Sequence, residues 1–234
     1  MTTSDAWTPA RAAYTHAAVM GDLVSSGSAE SAARLHAAFN AAVDEVNAAR
    51  RGQLVSPLTI TLGDEFQGLC ACLSDGLAIV RALRLRLLDQ DVECRFALGV
   101  VRIETPVNAE RAWNMMGEGL SATRGRLSEK RHPNAYRFHL PGEDLVARLV
   151  EAVCYSLTLT ERDWTRRQRQ LALAVLASAA LQSPLAPAEL AAGLGLARRT
   201  YYKIRSAARL DFYVSQWSSV EAAMLELDRR YGFA

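Results

Sequence analysis

Hydrophobic and polar residues alternate most clearly in the segment LTITLGDEFQG, residues 58–68. Leucine and isoleucine at positions 58, 60 and 62 are separated by threonines, which is typical of a strand with one buried face. Gly63 and Asp64 then fit a two-residue hairpin turn with glycine in the positive-φ position. A returning strand is therefore expected from Glu65 to Leu69, and it leaves two acids side by side at the tip of the hairpin.

Further elements flank this hairpin within the first 140 residues or so. An apolar segment from about Ala13 to Met20 predicts a strand that runs into Gly21-Asp22 and a loop rich in serine and glycine. Periodic apolar residues predict one helix from about residue 28 and another that Ser74 or Asp75 can cap. The remaining predictions are a strand Cys94–Ile103, a helix over residues 108–129 loosened by two glycines, and a short strand over residues 134–140.

This order of elements predicts an α+β domain over residues 10–141, in which helices pack on a sheet. The composition changes after that point. Residues 143–234 are rich in alanine, leucine and arginine and show no strand pattern, so they predict a second, all-α domain. Proline at positions 184 and 187 divides this tail into several helices.

Residues 187–209 of the tail predict a helix-turn-helix, with a glycine-containing turn between two short helices. Five basic residues and no acidic residue lie between positions 195 and 209, as a DNA-recognition helix requires. The alternative is a helical bundle whose basic face serves packing or protein partners. The residues expected to contact DNA are Arg198, Arg199, Thr200, Tyr201, Lys203 and Arg205.

Composition narrows the class of protein without choosing a function. The chain has 234 residues, half of them hydrophobic, which is enough for a substantial core. No apolar run approaches the roughly 18 residues of a membrane span, and the first residues lack a signal-peptide pattern. A cytoplasmic protein without membrane contact is therefore expected. The net charge of +2 neither requires nor excludes nucleic acid.

Three acids are candidates for one site: Asp22 at the end of the first strand, and Asp64 and Glu65 at the hairpin. They meet if the first strand lies beside the hairpin. Clustered carboxylates repel one another unless a cation joins them, and Mg²⁺ or Mn²⁺ is the usual partner where nucleotide phosphates are bound. The alternative is that acids at a turn are simply solvated.

Phosphate-binding groups are expected near these acids. The segment SSGS, which contains Ser25 and Ser26, can offer backbone N–H groups at the start of the following helix. Four basic residues lie close together beside the last predicted helix of the first domain: Arg124, Arg126, Lys130 and Arg131. A solvated basic turn is the alternative interpretation of that group.

The motif GDEF between two strands, preceded by strand–Asp–helix, resembles the palm domain of GGDEF-type diguanylate cyclases, class III nucleotidyl cyclases and CRISPR-associated polymerases. The resemblance implies a palm-like, ferredoxin-like sheet. It also implies that Asp22 and Asp64 are the metal ligands and catalytic residues together with Glu65, and that Leu23 lends a backbone carbonyl to the metal. A nucleotide would contact Ser25, Ser26, Gly63, Arg124, Arg126 and Lys130. Because one glycine precedes the acids instead of two, synthesis of cyclic di-GMP does not follow.

A closer resemblance extends over nearly the whole chain. The motifs VMGDLVSSG and TITLGDEFQGL, followed by a C-terminal helix-turn-helix, resemble the SatD family of bacterial proteins. The resemblance implies architecture more than activity. The chain departs from the family pattern at Ser26-Gly27, where a basic residue usually follows the first Asp loop, while Arg34 matches a second basic position.

These features predict a DNA-binding regulator whose palm-like domain binds a nucleotide with a divalent metal. The alternative is an active, Mg²⁺-dependent nucleotidyl cyclase or polymerase that releases pyrophosphate, and a third possibility is a scaffold with a vestigial palm. The expected partners are a nucleotide and DNA. A homodimer would suit two DNA half-sites about one helical turn apart.

Overall fold

The computed structural model of the protein describes residues 14–24, 29–129, 132–179 and 183–233, which form a mixed α+β fold. The strands in these ranges are β1 (His16–Leu23), β2 (Leu54–Leu62), β3 (Glu65–Cys70), β4 (Cys94–Ile103), β5 (Gly117–Glu118) and β6 (Tyr136–His139). The α-helices are α1 (Ala29–Ala49), α2 (Leu73–Asp89), α3 (Leu120–Gly125), α4 (Asp144–Asp163), α5 (Arg166–Ala179), α6 (Pro187–Gly193), α7 (Arg198–Ala207) and α8 (Leu210–Tyr231). The α+β class expected from the sequence is confirmed.

The sheet is built around β1, which pairs antiparallel with β3 on one side and with β4 on the other. The hairpin partner β2 forms the edge beyond β3. Beyond β4, strand β6 pairs in parallel, and the short β5 pairs with the end of β4. The first six elements therefore follow a β-α-β-β-α-β order in which the first strand is central.

The two faces of β1 have different surroundings. Ala17, Val19 and Leu23 belong to the main core, which the sheet shares with helices α1, α2, α4 and α8. Ala18 and Met20 face the other way, into a smaller cluster with Leu120 of α3 packed against it. Asp22 follows Met20 by two positions and therefore lies on this second, thinly covered face.

The C-terminal helices α4 and α8 complete the main core instead of standing apart from the sheet. A buried polar network joins them to it, in which Arg84 of α2 donates from Nε to Oε2 of Glu161 on α4 at 2.9 Å. The hydroxyls of Tyr136 and Tyr213 donate to the other oxygen of Glu161 at 2.6 and 2.8 Å. The division of the chain into domains at 141–143 stays a prediction.

Helices α5, α6 and α7 surround a separate, smaller cluster. Its buried members are Leu171, Leu190, Ala191 and Tyr201. The turn between α6 and α7 contains Gly195 at φ +64°, a conformation that favours glycine. In the described ranges, no helix combines the length and the apolar character that a membrane span needs.

The first strand lies about three residues later than its apolar pattern predicts, so Asp22 is inside β1 and not after it. Gly21 is a strand residue here for a packing reason. A Cβ at this position would lie 2.4 Å from Cε1 of Phe66 and 2.6 Å from the carbonyl oxygen of Arg95. The absence of a side chain at Gly21 therefore lets β1 lie close to both β3 and β4, whereas the sequence pattern suggested that the strand ends there.

The helix predicted over residues 108–129 is wrong for most of its length, because α3 covers Leu120–Gly125 only. Backbone conformation explains the difference. Asn114 and Gly119 have positive φ values of 56° and 89°, which interrupt a helix. Gly117 is paired in β5, where its backbone lies so close to Arg102 that a Cβ would meet the Arg102 carbonyl.

The cap expected for α2 at Ser74 or Asp75 is also wrong, since the helix begins at Leu73 and its N-cap residue makes no side-chain hydrogen bond. The carboxylate of Asp228 on α8 replaces it. Asp228 accepts hydrogen bonds from the backbone N–H groups of Leu73 and Ser74 at 2.7 and 3.0 Å. The first backbone N–H groups of α2 thus find their acceptor on a residue more than 150 positions away, which no local pattern predicts.

Candidate functional site

The three acids predicted to converge do meet at one end of the central strands. Asp22 is directly opposite Glu65 of β3, and the N–H of Leu23 donates to the carbonyl oxygen of Asp64 at 2.9 Å. On its other side Asp22 is directly opposite Arg95 of β4. We refer to Asp22, Asp64, Glu65 and Arg95 as the acid–arginine cluster.

Arg95 is the functional candidate that the sequence pattern missed. Its guanidinium donates from Nε to Oδ1 of Asp22 at 2.9 Å and from Nη2 to Oδ2, so both carboxylate oxygens are engaged. The strand Cys94–Ile103 was predicted correctly, but its register against β1 decides which residue faces Asp22. No local signal in the sequence contains that register.

Asp22 occupies an unfavourable place for a negative charge. Burial raises the pKa of Asp22, and the nearby carboxylates Glu65 and Asp64 raise it further, while the Arg95 guanidinium lowers it. Only 6% of the residue is exposed. The ion pair with Arg95 therefore offsets the cost of this buried carboxylate only in part.

The hairpin tip has the predicted geometry. Gly63 has φ +57° in the two-residue turn between β2 and β3. Asp64 is exposed and Glu65 is half-buried, so their carboxylates differ from Asp22 in access to solvent. The proposed roles of Gly63 in nucleotide binding and of the Leu23 carbonyl in metal binding stay predictions.

A divalent metal does not fit Asp22 as its neighbours are arranged. Both oxygens of this carboxylate accept hydrogen bonds from Arg95, and burial shields their remaining lone pairs. In the part of the chain that the structure describes, no three His, Cys, Asp or Glu side chains are grouped to hold a metal ion. A cation at Asp22 would have to displace the guanidinium first.

A cavity of about 210 Å³ opens on the same face of the sheet. Met20 and Gln67 line it, two positions along the strands from Asp22 and Glu65, which corresponds to about 7 Å. Arg124 borders the cavity and donates from Nη2 to Oε1 of Gln67 at 3.0 Å. Arg124 is therefore the predicted phosphate-contacting residue that the fold brings towards the acids.

Arg126 is held elsewhere. Its guanidinium donates to Oε1 of Glu151 on α4 at 2.6 Å, and the same carboxylate oxygen accepts the backbone N–H of Phe138 on β6. The fold thus does not bring Arg126 to the acid–arginine cluster. Four other predicted phosphate contacts lie outside the described residues: Ser25, Ser26, Lys130 and Arg131.

The predicted DNA-contacting residues divide into two groups on α7. Arg198, Arg199 and Lys203 are exposed and make no ion pair with any residue in the described ranges. Thr200 is half-buried, and Tyr201 is fully buried among α5, α6 and α7, so its side chain is not available to a ligand.

Arg205 differs from the exposed basic residues because it already has partners. It donates from Nε to Oδ1 of Asp211 at 3.0 Å and from Nη1 to the hydroxyl of Tyr201 at 3.1 Å. The hydrogen bond to Asp211 is the main reason that the pKa of Arg205 is raised. The guanidinium of Arg205 therefore links α7 to the start of α8 and is less available to a ligand than the exposed basic side chains.

Comparisons with solved structures find nucleotide cyclases at low similarity. A bacterial light-regulated adenylyl cyclase aligns with 53% of this chain and 75% of its own, at 13% identity and a TM-score of 0.36. The monomeric guanylyl cyclase domain of the RhoGC fusion protein from the aquatic fungus Blastocladiella emersonii aligns with 50% of this chain and 76% of its own, at 14% identity and a TM-score of 0.35. The guanylate cyclase domain from Catenaria anguillulae, in complex with GTP, aligns with 50% of this chain and 74% of its own, at 11% identity and a TM-score of 0.34. Similarity this remote carries no inference about activity.

Family membership rests on a different comparison. No curated protein matches the chain. The model of the SatD family matches residues 16–224, which span both the sheet with its acid–arginine cluster and the basic helix α7. The chain therefore belongs to the SatD family.

Proposed function

We propose that the protein binds DNA through α7 and acts as a regulator at its DNA target. The single observation that carries this proposal is the group of three exposed basic side chains on α7, Arg198, Arg199 and Lys203, which no described acid neutralises. Basic side chains on the second helix of a helix-turn-helix bind phosphates and base edges in the major groove.

The support of α7 by its neighbours favours this function. The buried Tyr201 and the half-buried Ile204 fix one side of α7 against α5 and α6 and leave the basic side in solvent. The N-cap residue of α7, Ala197, provides no side-chain cap, so no cap occupies the first N–H groups of the helix among the described residues. Such groups commonly bind DNA phosphates.

The far end of α7 is tied to the main core. The indole N–H of Trp164, at the junction of α4 and α5, donates to the carbonyl oxygen of Ala208 at 3.0 Å. Trp164 also contacts Tyr213 of α8, with ring centroids 4.7 Å apart. A recognition helix mounted this way moves with the core, which suits a regulator that responds to a ligand on the sheet.

The test is fluorescence anisotropy with a random-sequence 30-base-pair duplex at several salt concentrations. Replacing Arg198, Arg199 and Lys203 together by alanine should weaken binding at least tenfold. The plot of the logarithm of the association constant against the logarithm of salt concentration has a negative slope. Its magnitude should fall by about 2–3, because each lost phosphate contact removes roughly 0.9. Titrating single-stranded DNA in parallel separates duplex recognition from non-specific charge attraction.

The matched control removes the same charge elsewhere. Arg51, Arg111 and Arg148 are exposed and likewise unpaired among the described residues, and they lie on other elements. Replacing these three by alanine should leave DNA binding nearly unchanged. Equal losses in both triple variants would show that net charge, and not α7, determines binding, and no binding by the wild type would remove the proposal.

A second candidate function is nucleotide binding on the thinly covered sheet face. The cavity beside Met20 and Gln67 supports it, since it lies two residue pairs from the acid–arginine cluster, on the same face of the sheet, and is bordered by Arg124. A base in the cavity would leave its phosphates near Arg124 and Arg95. In the regulator proposal, this ligand biases the affinity of α7 for DNA.

Calorimetry with each of the four nucleoside triphosphates, with and without Mg²⁺, tests the second candidate. Arg124→Ala should weaken binding about tenfold, because it removes a charge-assisted contact to phosphate. Arg148→Ala, at another exposed arginine, is the control and should have no effect. The absence of heat with every nucleotide in both conditions would remove this candidate.

The same mixtures also test the alternative that the protein is a metal-dependent cyclase. Chromatography of the calorimeter mixtures should then reveal pyrophosphate and a cyclic or linked nucleotide. Asp22→Asn and Asp64→Asn should abolish that product if the acids hold the predicted Mg²⁺. The Arg95 pairing of Asp22 favours binding without turnover.

A further inference from the structure

The acid–arginine cluster contains a positively charged side chain, Arg95, whose position bears on which ions the cluster accepts. Glu65 lies opposite Asp22 at this end of the sheet and the negative charge of Asp64 also acts on it, yet Asp22 is engaged by Arg95 through two parallel hydrogen bonds. The side chains of Asp22 and Arg95 are only 9% and 13% exposed. A paired, largely buried arginine among acids requires an explanation beyond surface solvation.

We propose that Arg95 is a specificity-determining residue that closes Asp22 to divalent cations. The inference concerns the nucleotide site proposed above and rests on that proposal for its biological meaning, but its physical claim can be tested with metal alone. The guanidinium supplies the positive charge that the carboxylates require, so a cation gains little by binding there.

The geometry makes this closure specific to arginine. A guanidinium engages both oxygens of one carboxylate with a planar fork, whereas an ammonium is a point charge that engages one position at a time. The cross-strand register places Arg95 directly opposite Asp22, and the hairpin tip closes the opposite side through the bond from Leu23 N–H to the Asp64 carbonyl. Within the described ranges, the hydrogen bonds of the Arg95 guanidinium all go to Asp22.

The same arrangement explains how the cluster can still serve a nucleotide. Phosphate oxygens accept the same bidentate hydrogen bonds from arginine as a carboxylate does. A triphosphate that engages Arg95 would therefore compete with Asp22 for the guanidinium.

Mn²⁺ alone is the probe, with the free ion measured by electron paramagnetic resonance. Wild-type protein should show little binding, and Arg95→Gln should bind Mn²⁺ at least tenfold more tightly. Adding Asp22→Asn to Arg95→Gln should remove the gain. Arg102→Gln is the matched control on the same strand, since Arg102 pairs with Glu104 and Glu118 at the surface, and it should behave like the wild type.

A conservative variant keeps the test decisive if Arg95→Gln folds poorly. Arg95→Lys retains the charge without the fork, and its Mn²⁺ affinity should fall between the wild type and Arg95→Gln. Equal Mn²⁺ affinity in the wild type and both variants would overturn the proposal, as would a gain that survives Asp22→Asn. Because no nucleotide is present, failure of nucleotide binding in the calorimetric test is a separate result.

Discussion

Two arginine–carboxylate pairs, Arg84–Glu161 and Arg95–Asp22, have similar chemistry and different surroundings. Arg84 and Glu161 are completely buried between α2 and α4, and two tyrosine hydroxyls complete the hydrogen bonding of Glu161. Arg95 and Asp22 lie at the end of the sheet beside two further acids. Two tyrosine hydroxyls support the charge of Glu161, although Nη1 and Nη2 of Arg84 have no hydrogen-bond partner among the described residues. The acids beside Asp22 oppose its charge instead.

This difference separates a pair that holds the fold from the pair for which we propose a role in ligand binding. The Arg84–Glu161 network contacts the sheet, α2, α4 and α8 at once, so it fixes how these layers meet. The Arg95–Asp22 pair joins two neighbouring strands that the ladder already holds. We therefore regard Arg95–Asp22, and not Arg84–Glu161, as the pair that exchanges partners in the proposed nucleotide site.

The largest expected effect comes from breaking the buried network. Glu161→Ala leaves Arg84 and two tyrosine hydroxyls without their acceptor, so we expect a loss of about 3–5 kcal/mol of unfolding free energy. Urea denaturation followed by circular dichroism measures it. Glu45→Ala, which breaks the exposed pair with Arg86, is the control and should cost under about 1 kcal/mol. A loss below about 1 kcal/mol in Glu161→Ala would contradict the structural role.

A smaller loss is expected from Gly21→Ala, which disturbs the strand beneath the cluster. The added Cβ would clash with the ring of Phe66 and the carbonyl of Arg95, so we expect about 1–3 kcal/mol of destabilisation. Gly52→Ala is the matched control, since nothing lies within 4 Å of a Cβ there. Equal stability of the two variants in urea would show that β1 does not approach its neighbours so closely.

Removing the charge at the site should cost far less than removing it from the core. Asp22→Asn loses the pairing with Arg95 but also ends the repulsion from Glu65 and Asp64, so we expect a change within about 1 kcal/mol at pH 7. The raised pKa of Asp22 fixes the sign of the pH dependence. Folding favours the protonated form, so the wild type loses stability relative to the variant as pH rises from the usual aspartate value through the raised one.

Urea unfolding of both proteins between pH 4 and pH 7 checks this sign. The difference in unfolding free energy should move in favour of Asp22→Asn as pH rises and should level off above the raised pKa. A difference that moves the other way would mean that the Arg95 pairing outweighs burial and repulsion together. Asp22 would then resemble Glu161 in being a structural acid.

The smallest effect is expected from His139, which is half-buried on β6. Burial lowers the pKa of His139 on β6, Arg126 lowers it further, and Glu118 opposes both. Stability should therefore fall as pH drops below about 6.5, because the unfolded chain binds the proton first. His139→Gln should reduce the difference in Tm between pH 7.5 and 5.5 by less than about 3 °C. An unchanged difference in this variant would assign the effect to other groups.

The sequence predicted the parts of the site that depend on local pattern. The hairpin around Gly63, predicted from Leu58 to Leu69, its positive-φ glycine and the strand that carries Arg95 follow from short-range periodicity and turn chemistry, although β2 begins four residues earlier, at Leu54. The approach of Asp22 to Glu65 was also predicted, because it requires only that the first strand lie beside the hairpin. The two helices of residues 187–209 follow from composition and one glycine-containing turn.

Features that depend on distant partners could not be predicted in this way. Gly21 suggested the end of a strand. A glycine looks the same in the sequence whether it ends a strand or leaves space for a neighbouring aromatic ring, here that of Phe66. Tyr201 suggested a DNA contact because its sequence neighbours are basic, but its helical position turns it into the α5–α7 cluster. In both cases the deciding contact lies on another element.

What the sequence determined by itself is the set of elements and the grouping of acids and bases along them, because propensity, periodicity and turn chemistry act over a few residues. Only the tertiary structure decided which charges face each other. The register of β4 against β1 pairs Arg95 with Asp22, and the packing of α4 on α2 pairs Glu161 with Arg84. Electrostatic energy depends on distance and burial in space, and both are fixed only when separate elements pack together.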